Sequence, residues 1–133
     1  YEVGGRWLRL TNGVSEIEPA PGSASKVVTR YFGNEARGDL NGDGIEDVGF
    51  LVSQTAGGSG TFYYAVTAIR TSEGWVGTNG VLLGDRVAPH TTQIESGLLV
   101  VNYAERRAGE PMSAQPSQGV TRRLRVTAGK LVE

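Results

Sequence analysis

Glycine limits what this chain can become more than any other residue does. Twenty of the 133 residues are Gly, more than twice the usual share of about 7%. They stand mostly between short apolar runs, as turn glycines do. A helix interior pays about 1 kcal/mol for Gly in place of Ala, whereas tight hairpin turns require the positive φ that Gly adopts without strain. Between the glycines the runs are rich in β-branched and aromatic residues, as in Lys26-Val27-Val28-Thr29-Arg30-Tyr31-Phe32, and helical periodicity is hard to find. A short turn of helix around Ala24 is the most that can be expected. The chain therefore reads as an all-β, single-domain antiparallel meander over residues 1–133, closed into a barrel or folded into a sandwich.

Strands are expected near 5–11, 14–18, 26–37, 46–54, 61–71, 75–83, 92–96, 98–105, 119–128 and 130–132. Asn12-Gly13 and Ser96-Gly97 suit two-residue hairpin turns. Residues 98–103 (Leu-Leu-Val-Val-Asn-Tyr) are apolar on both faces, as in a central strand covered on both sides. Residues 121–127 alternate: Thr121, Arg123, Arg125 and Thr127 point one way, Val120, Leu124 and Val126 the other, with Arg122 the exception. Residues 106–118, with Gly109, Pro111 and Pro116, read as a long loop, and Pro19-Ala20-Pro21-Gly22-Ser23 as a shorter linker. Neither marks a domain boundary.

Charge and composition exclude several classes of function. Thirteen Lys+Arg against 14 Asp+Glu give a net charge of −1, without the basic excess of a general nucleic-acid binder. No apolar run approaches the roughly 20 residues of a membrane-spanning helix, so no transmembrane segment is expected. The chain has no Cys, which removes disulfides, thiolate nucleophiles and zinc–thiolate sites together.

One segment carries recognisable chemistry: Gly38-Asp39-Leu40-Asn41-Gly42-Asp43-Gly44-Ile45-Glu46-Asp47-Val48. Counted from Asp39, side-chain oxygens fall at positions 1, 3 and 5 (Asp39, Asn41 and Asp43), and Gly44 occupies position 6, where a calcium loop turns sharply. Ile45 at position 7 offers its backbone carbonyl while its side chain is expected to anchor in the core. Asp47 at position 9 ligates directly or through a water. This set suits a hard cation that takes six to eight oxygens at about 2.3–2.6 Å. Without a cation, three carboxylates would repel one another at close range, with Glu46 adding a fourth negative group. Asn-Gly and Asp-Gly pairs also make ordinary turns, but a bare turn has no need of an acceptor at every alternate position.

A helix–loop–helix calcium hand places a bidentate Glu at position 12. Phe50 stands there, and Gly33, Gly38 and Gly49 make the flanks poor helices. The segment resembles the D-x-N-x-D-G-x-x-D loops of integrin-type FG-GAP repeats and other EF-hand-like calcium sites. The resemblance implies calcium held by Asp39, Asn41, Asp43, the Ile45 carbonyl and Asp47. Carried between two strands, such an ion would tie the end of the 26–37 strand to the start of the 46–54 strand, as a clamp and not as a sensor.

A longer stretch, from Arg30-Tyr31-Phe32-Gly33-Asn34-Glu35 through Gly58-Ser59-Gly60-Thr61-Phe62-Tyr63-Tyr64, together with Val81 to Arg86 and Val101-Asn102-Tyr103-Ala104-Glu105, is similar to small bacterial proteins of secreted or lipoprotein type with no established function. The likeness implies an extracytoplasmic setting, whether secreted, periplasmic or lipid-anchored. The absence of an initiator Met before Tyr1 fits either a cleaved signal peptide or a truncated start.

The remaining signals have plain structural readings. Ala56-Gly57-Gly58-Ser59-Gly60 lacks the Lys-Ser/Thr of a phosphate loop and reads as a hairpin tip. His90, the sole histidine, has no nearby nucleophile, and no G-x-S-x-G elbow accompanies the serines. Tyr31, Phe32, Phe62, Tyr63, Tyr64 and Tyr103 are expected mostly in the core, and Trp7 and Trp75 in core or rim. Arg106, Arg107, Arg122, Arg123 and Arg125 make the last third locally basic. The expected role is a calcium-braced structural or binding domain with no catalytic signature. A glycan- or small-molecule-binding module with an exposed aromatic strand face is the first alternative. The others are a calcium-braced hydrolase near His90 or Asp85, and an inhibitor or adhesive surface formed by the Arg-rich strand and the 106–118 loop.

Overall fold

A computed structural model describes residues 1–18, 26–58, 60–111 and 113–133. The expected 19–23 linker and the helical turn at Ala24 lie outside them. Among the described residues the chain forms twelve β-strands and no helix. These are β1 (Glu2–Val3), β2 (Arg6–Trp7), β3 (Val14–Ile17), β4 (Val27–Gly38), β5 (Asp47–Thr55), β6 (Phe62–Thr71), β7 (Gly74–Gly77), β8 (Val81–Asp85), β9 (Ala88–Glu95), β10 (Leu98–Glu105), β11 (Gln118–Thr127) and β12 (Lys130–Val132). The all-β meander read from the sequence is the fold observed.

Two sheets make up the body. The larger runs β3-β4-β5-β6-β7 in chain order, with β8 pairing β6 beyond β7, and it curls into a half-barrel. The smaller runs β12-β11-β10-β9. Every strand pairing in both is antiparallel. Turn chemistry sets the register at several corners. Asn12 and Gly13 (φ 52° and 80°), Ser96 and Gly97 (53° and 78°), and Ala128 and Gly129 (52° and 78°) all hold the paired positive φ of two-residue hairpins.

One expected strand is cut short and another divided. The 5–11 strand is reduced to β2 (Arg6–Trp7), which pairs with an unexpected β1 across the turn at Gly4 and Gly5 (φ 60° and 82°). The 75–83 strand breaks at 78–80 into β7 and β8, which lie along different halves of the same edge of β6. The 92–96 strand extends back to Ala88, with an irregularity opposite Asn102–Tyr103 where Pro89 enters the ladder. Residues 98–105 form a central strand, as expected, between β9 and β11.

The core lies between the two sheets. Leu51, Ala65, Ile69 and Leu83 of the larger sheet meet Leu99, Val101, Tyr103, Leu124 and Leu131 of the smaller one, and Leu40 and Val87 join them from the connections. A second cluster sits on the outer face of the larger sheet, where Val3 covers Phe50, Val52 and Val66, with Tyr1, Leu8, Leu10, Val48 and Tyr64 packed around them. The N-terminal hairpin thus forms a partial third layer, and β5 is buried on both faces. On β11, Leu124 is buried while Thr121, Arg123, Arg125 and Thr127 are exposed, matching the alternation in sequence. Arg122, the exception on the inward face, bonds the Leu82 carbonyl, the Tyr103 hydroxyl and Glu133.

Several apolar residues are not where the sequence suggested. Trp7 and Trp75 are exposed, as are Tyr31, Phe32 and Phe62, while Tyr103 is buried. Tyr63 and Tyr64 are partly buried on opposite faces, against the inner and outer clusters respectively. The 106–118 loop is tied down by polar bonds. Arg106 donates to the carbonyls of Ala114 and Arg86, and the Ser117 amide donates to the Glu105 carbonyl.

Candidate metal centre

The loop 39–46 joins β4 to β5, two antiparallel neighbours whose ladder closes at the Gly38–Asp47 pair. Asp39 therefore leaves one strand beside the residue that begins the next. Gly42 and Gly44, at φ 81° and 78°, fold the intervening residues back over this pair. The positive φ expected at Gly44 is present.

Three carboxylates converge as a result. Asp39, Asp43 and Asp47 each offer an oxygen within 4.8 Å of the others. Asp47 is fully buried and Asp43 exposed, with Asp39 between them. Backbone amides hold all three in place. Asp39 accepts from Asn41 and Gly42 through Oδ1 and from Gly44 through Oδ2. Asp43 accepts from the Ile45 amide and Asn41 from the Asp43 amide. Asp47 accepts from Leu40 within the loop at 2.8 Å and from Arg70 on β6 at 3.0 Å. The amides around Asp39, that of Gly44 foremost and then those of Gly42, Asn41 and Asp43, hold its pKa below the ordinary carboxylate range despite some desolvation.

Among the described residues no Lys or Arg forms an ion pair with any of the three carboxylates. Arg37 pairs with Glu35 at 2.6 Å and reaches Glu46 at 3.9 Å, both outside the triad. Asp39 Oδ1 is filled by its two amides, but Asp39 Oδ2 and the oxygens of Asp43 and Asp47 each accept no more than one and retain a lone pair for a cation. A donor set made only of oxygens, with the anionic groups unneutralised by side chains, fits a hard cation and not a soft one.

The Ile45 side chain does not anchor in the core: it is 46% exposed, whereas Leu40 is 4% exposed and packs into the inter-sheet cluster. The reason is local. The Asp47 carboxylate captures the Leu40 amide, and this bond draws position 2 of the loop inward. Leu40 and the Arg70 amide are the parts of this centre that sequence reasoning missed. The lone apolar residue before Asn41 was the available signal for the first, while the second depends on β6 pairing and had none.

Beside the loop, a cleft of about 280 Å³ lies between the end of β6–β7 and the β11–β12 turn, with Asn41 at its rim and Ile69, Val76 and Val126 in its wall. The other polar groups singled out from the sequence lie elsewhere. His90 is exposed on β9, and its carbonyl accepts from Asn34. At Asp85, burial raises the pKa, but bonds from Arg86 and the Thr61 amide, with the Arg86 and Arg106 charges, outweigh it and lower the pKa overall. No family of proteins, no curated protein and no solved structure matches the chain.

Proposed function

We propose that this protein is a calcium-binding extracytoplasmic β-domain in which the 39–47 loop clamps the β4–β5 hairpin. The observation that carries the reading is the convergence of Asp39, Asp43 and Asp47 oxygens within 4.8 Å of one another, with no cationic side chain paired to them among the described residues. Asp39, Asn41, Asp43, the Ile45 carbonyl and Asp47 would hold the ion. The ion supplies positive charge where folding gathers negative charge, so binding and hairpin closure reinforce each other.

The reading includes a weak affinity. Position 12 is Phe50, packed in the outer cluster, so a bidentate Glu is missing from the ligand set. Calcium sites of extracellular modules bind in the range of about 10⁻⁴–10⁻³ M, and such sites fill only where calcium is plentiful. This agrees with an extracytoplasmic setting. The ion's role is structural, since its ligands bridge adjacent strands and surround no reactive side chain.

Thermal melting of chelator-stripped protein, with calcium or with magnesium added, tests the proposal. Saturating calcium should raise Tm by several degrees, the size expected from ligand linkage of about 2.7 kcal/mol at one hundred times Kd. Magnesium should do much less, because it demands tighter octahedral geometry. Asp43→Ala should abolish the calcium response while leaving the chelated melt nearly unchanged, as the Asp43 side chain is exposed and accepts only the Ile45 amide two residues on. Equal melting of the native chain in calcium and in chelator would remove the reading.

A further inference from the structure

A second feature lies on the outer face of the larger sheet, away from the interior of the sandwich. A cleft of about 390 Å³ is lined by Tyr1, Tyr31, Glu35, Arg37, Phe50 and Trp75, among others. That volume is within the range of small-molecule sites, roughly 300–1,000 Å³. Cross-strand register brings these residues together. Arg37 stands opposite Val48 and Tyr31 opposite Val52, on the face that carries Phe50, while Trp75 pairs with Arg70 at the far side of β6.

The aromatic groups are ordered yet available. Tyr31 is 43% and Trp75 49% exposed. The Tyr31 ring lies 5.2 Å from Phe50, which Tyr1 meets edge-on at 5.5 Å. The Arg70 guanidinium sits 5.3 Å from the Trp75 centroid, a cation–π contact that steadies the indole. The polar groups are equally organised. Glu35 takes the Arg37 guanidinium on one oxygen at 2.6 Å and the Tyr31 hydroxyl on the other at 2.9 Å. Burial first, and then the bond to Glu35, raise the Tyr31 pKa, and the phenol's proton is held by Glu35.

We propose that this cleft is a subsite for a neutral pyranose residue of a glycan. Exposed aromatic faces held in place by neighbours offer platforms for the C–H face of a sugar ring. Two carboxylates, Glu35 and Glu46, and two guanidinium groups, Arg37 and Arg70, stand at or beside the cleft and balance in side-chain charge, so no excess of one sign selects an ionic ligand. Side by side, Glu35 and Arg37 present carboxylate acceptors and guanidinium donors, which suits adjacent hydroxyls that both donate and accept. A purely apolar ligand would cover this pair without meeting its remaining donors and acceptors. This inference is independent of the metal loop.

Titration calorimetry with maltotriose, cellotriose, chitotriose and galactobiose tests it. At least one should bind saturably. Trp75→Ala should weaken that binding about tenfold, equivalent to about 1.4 kcal/mol, and Arg37→Met should weaken it comparably. Trp7→Ala, which removes an exposed indole from β2 outside this cleft, should leave it unchanged. Melting curves establish that each variant is folded before it is titrated. Absence of binding to all four sugars at concentrations of about 10 mM, in the millimolar range of weak binding, overturns the proposal. So does binding that survives both Trp75→Ala and Arg37→Met.

Discussion

Asp47 brings a carboxylate into a position with no solvent exposure and is met there by two backbone amides, from Leu40 and from Arg70. The two bonds reach in different directions along the chain: one fixes the loop, the other fixes the loop to β6. A buried carboxylate without such donors would be untenable, and buried amides without the carboxylate would be nearly so. Asp47→Ala should therefore destabilise the fold by about 2–4 kcal/mol even in chelator, the combined loss of two charge-assisted bonds and their unsatisfied donors. Asp43→Ala differs sharply, because its expected effect is confined to the calcium response. Denaturant unfolding of both variants in chelator checks the contrast, and an Asp47→Ala protein as stable as the native chain would contradict it. The spacing of Asp39, Asn41, Asp43 and Asp47 was plain in the sequence, as was the Gly44 turn. What the spacing did not contain was this second partner, since Arg70 is distant in sequence and reaches Asp47 only through sheet pairing.

At the scale of elements, β4 and β5 are the most extensively paired strands of the fold. β5 is flanked by β4 and β6 and covered on both faces. Its inward face must also admit the smaller sheet, and Gly49 makes the room: a Cβ there would lie 2.5 Å from Leu99 Cδ1. Leu99 is itself fully buried, so it has little space into which to retreat. Gly49→Ala should cost about 1–3 kcal/mol by overpacking, and pairing it with Leu99→Val should recover part of that loss. Chemical denaturation of the single and double variants measures the coupling; simple additivity would mean that the two sites do not press on each other. Strand order within each sheet was readable because runs and turns alternate in chain order, and the hairpin pairs at 12–13 and 96–97 fix register locally. The shortened 5–11 strand and the divided 75–83 strand were harder to read. Gly4-Gly5 and Asn79-Gly80 are turn signals beside strand-like runs, and alternation alone does not say where each run stops. Alternation likewise marks two faces without saying how far a third layer covers the outer one. Trp7, Trp75 and Tyr31 are exposed for that reason, as the N-terminal hairpin buries Phe50, Val52 and Val66 but leaves the rim open.

Across the whole molecule, the two sheets meet along seams where side chains take over from the backbone ladder. On one side Gly38 of β4 lies against Ile94 of β9, and Asn34 donates to the His90 carbonyl. On the other, the break between β7 and β8 exposes Asn79, whose amide donates to the Leu131 carbonyl at 3.0 Å and accepts from the Leu131 amide at 2.9 Å. This pair of bonds imitates one rung of an antiparallel ladder. It matters because β12 is a three-residue edge strand paired only with β11, and Leu131 is buried between the sheets at 1% exposure. The Asn79 side chain thus holds the far edge of the smaller sheet to the larger one. Asn79→Ala should leave both backbone groups of Leu131 without partners, at a cost of about 1–3 kcal/mol, and should loosen the β11–β12 hairpin before the central strands. Amide hydrogen exchange resolves the two effects. The Leu131 amide should lose protection by more than the global destabilisation accounts for, while Leu51 and Val101 exchange at the rate set by global unfolding alone. Asn79→Asp, which keeps an acceptor for the Leu131 amide but loses the donor to its carbonyl, should fall between the two. Unchanged Leu131 protection in Asn79→Ala would mean that apolar packing alone closes this seam, and that the divided strand serves no such purpose.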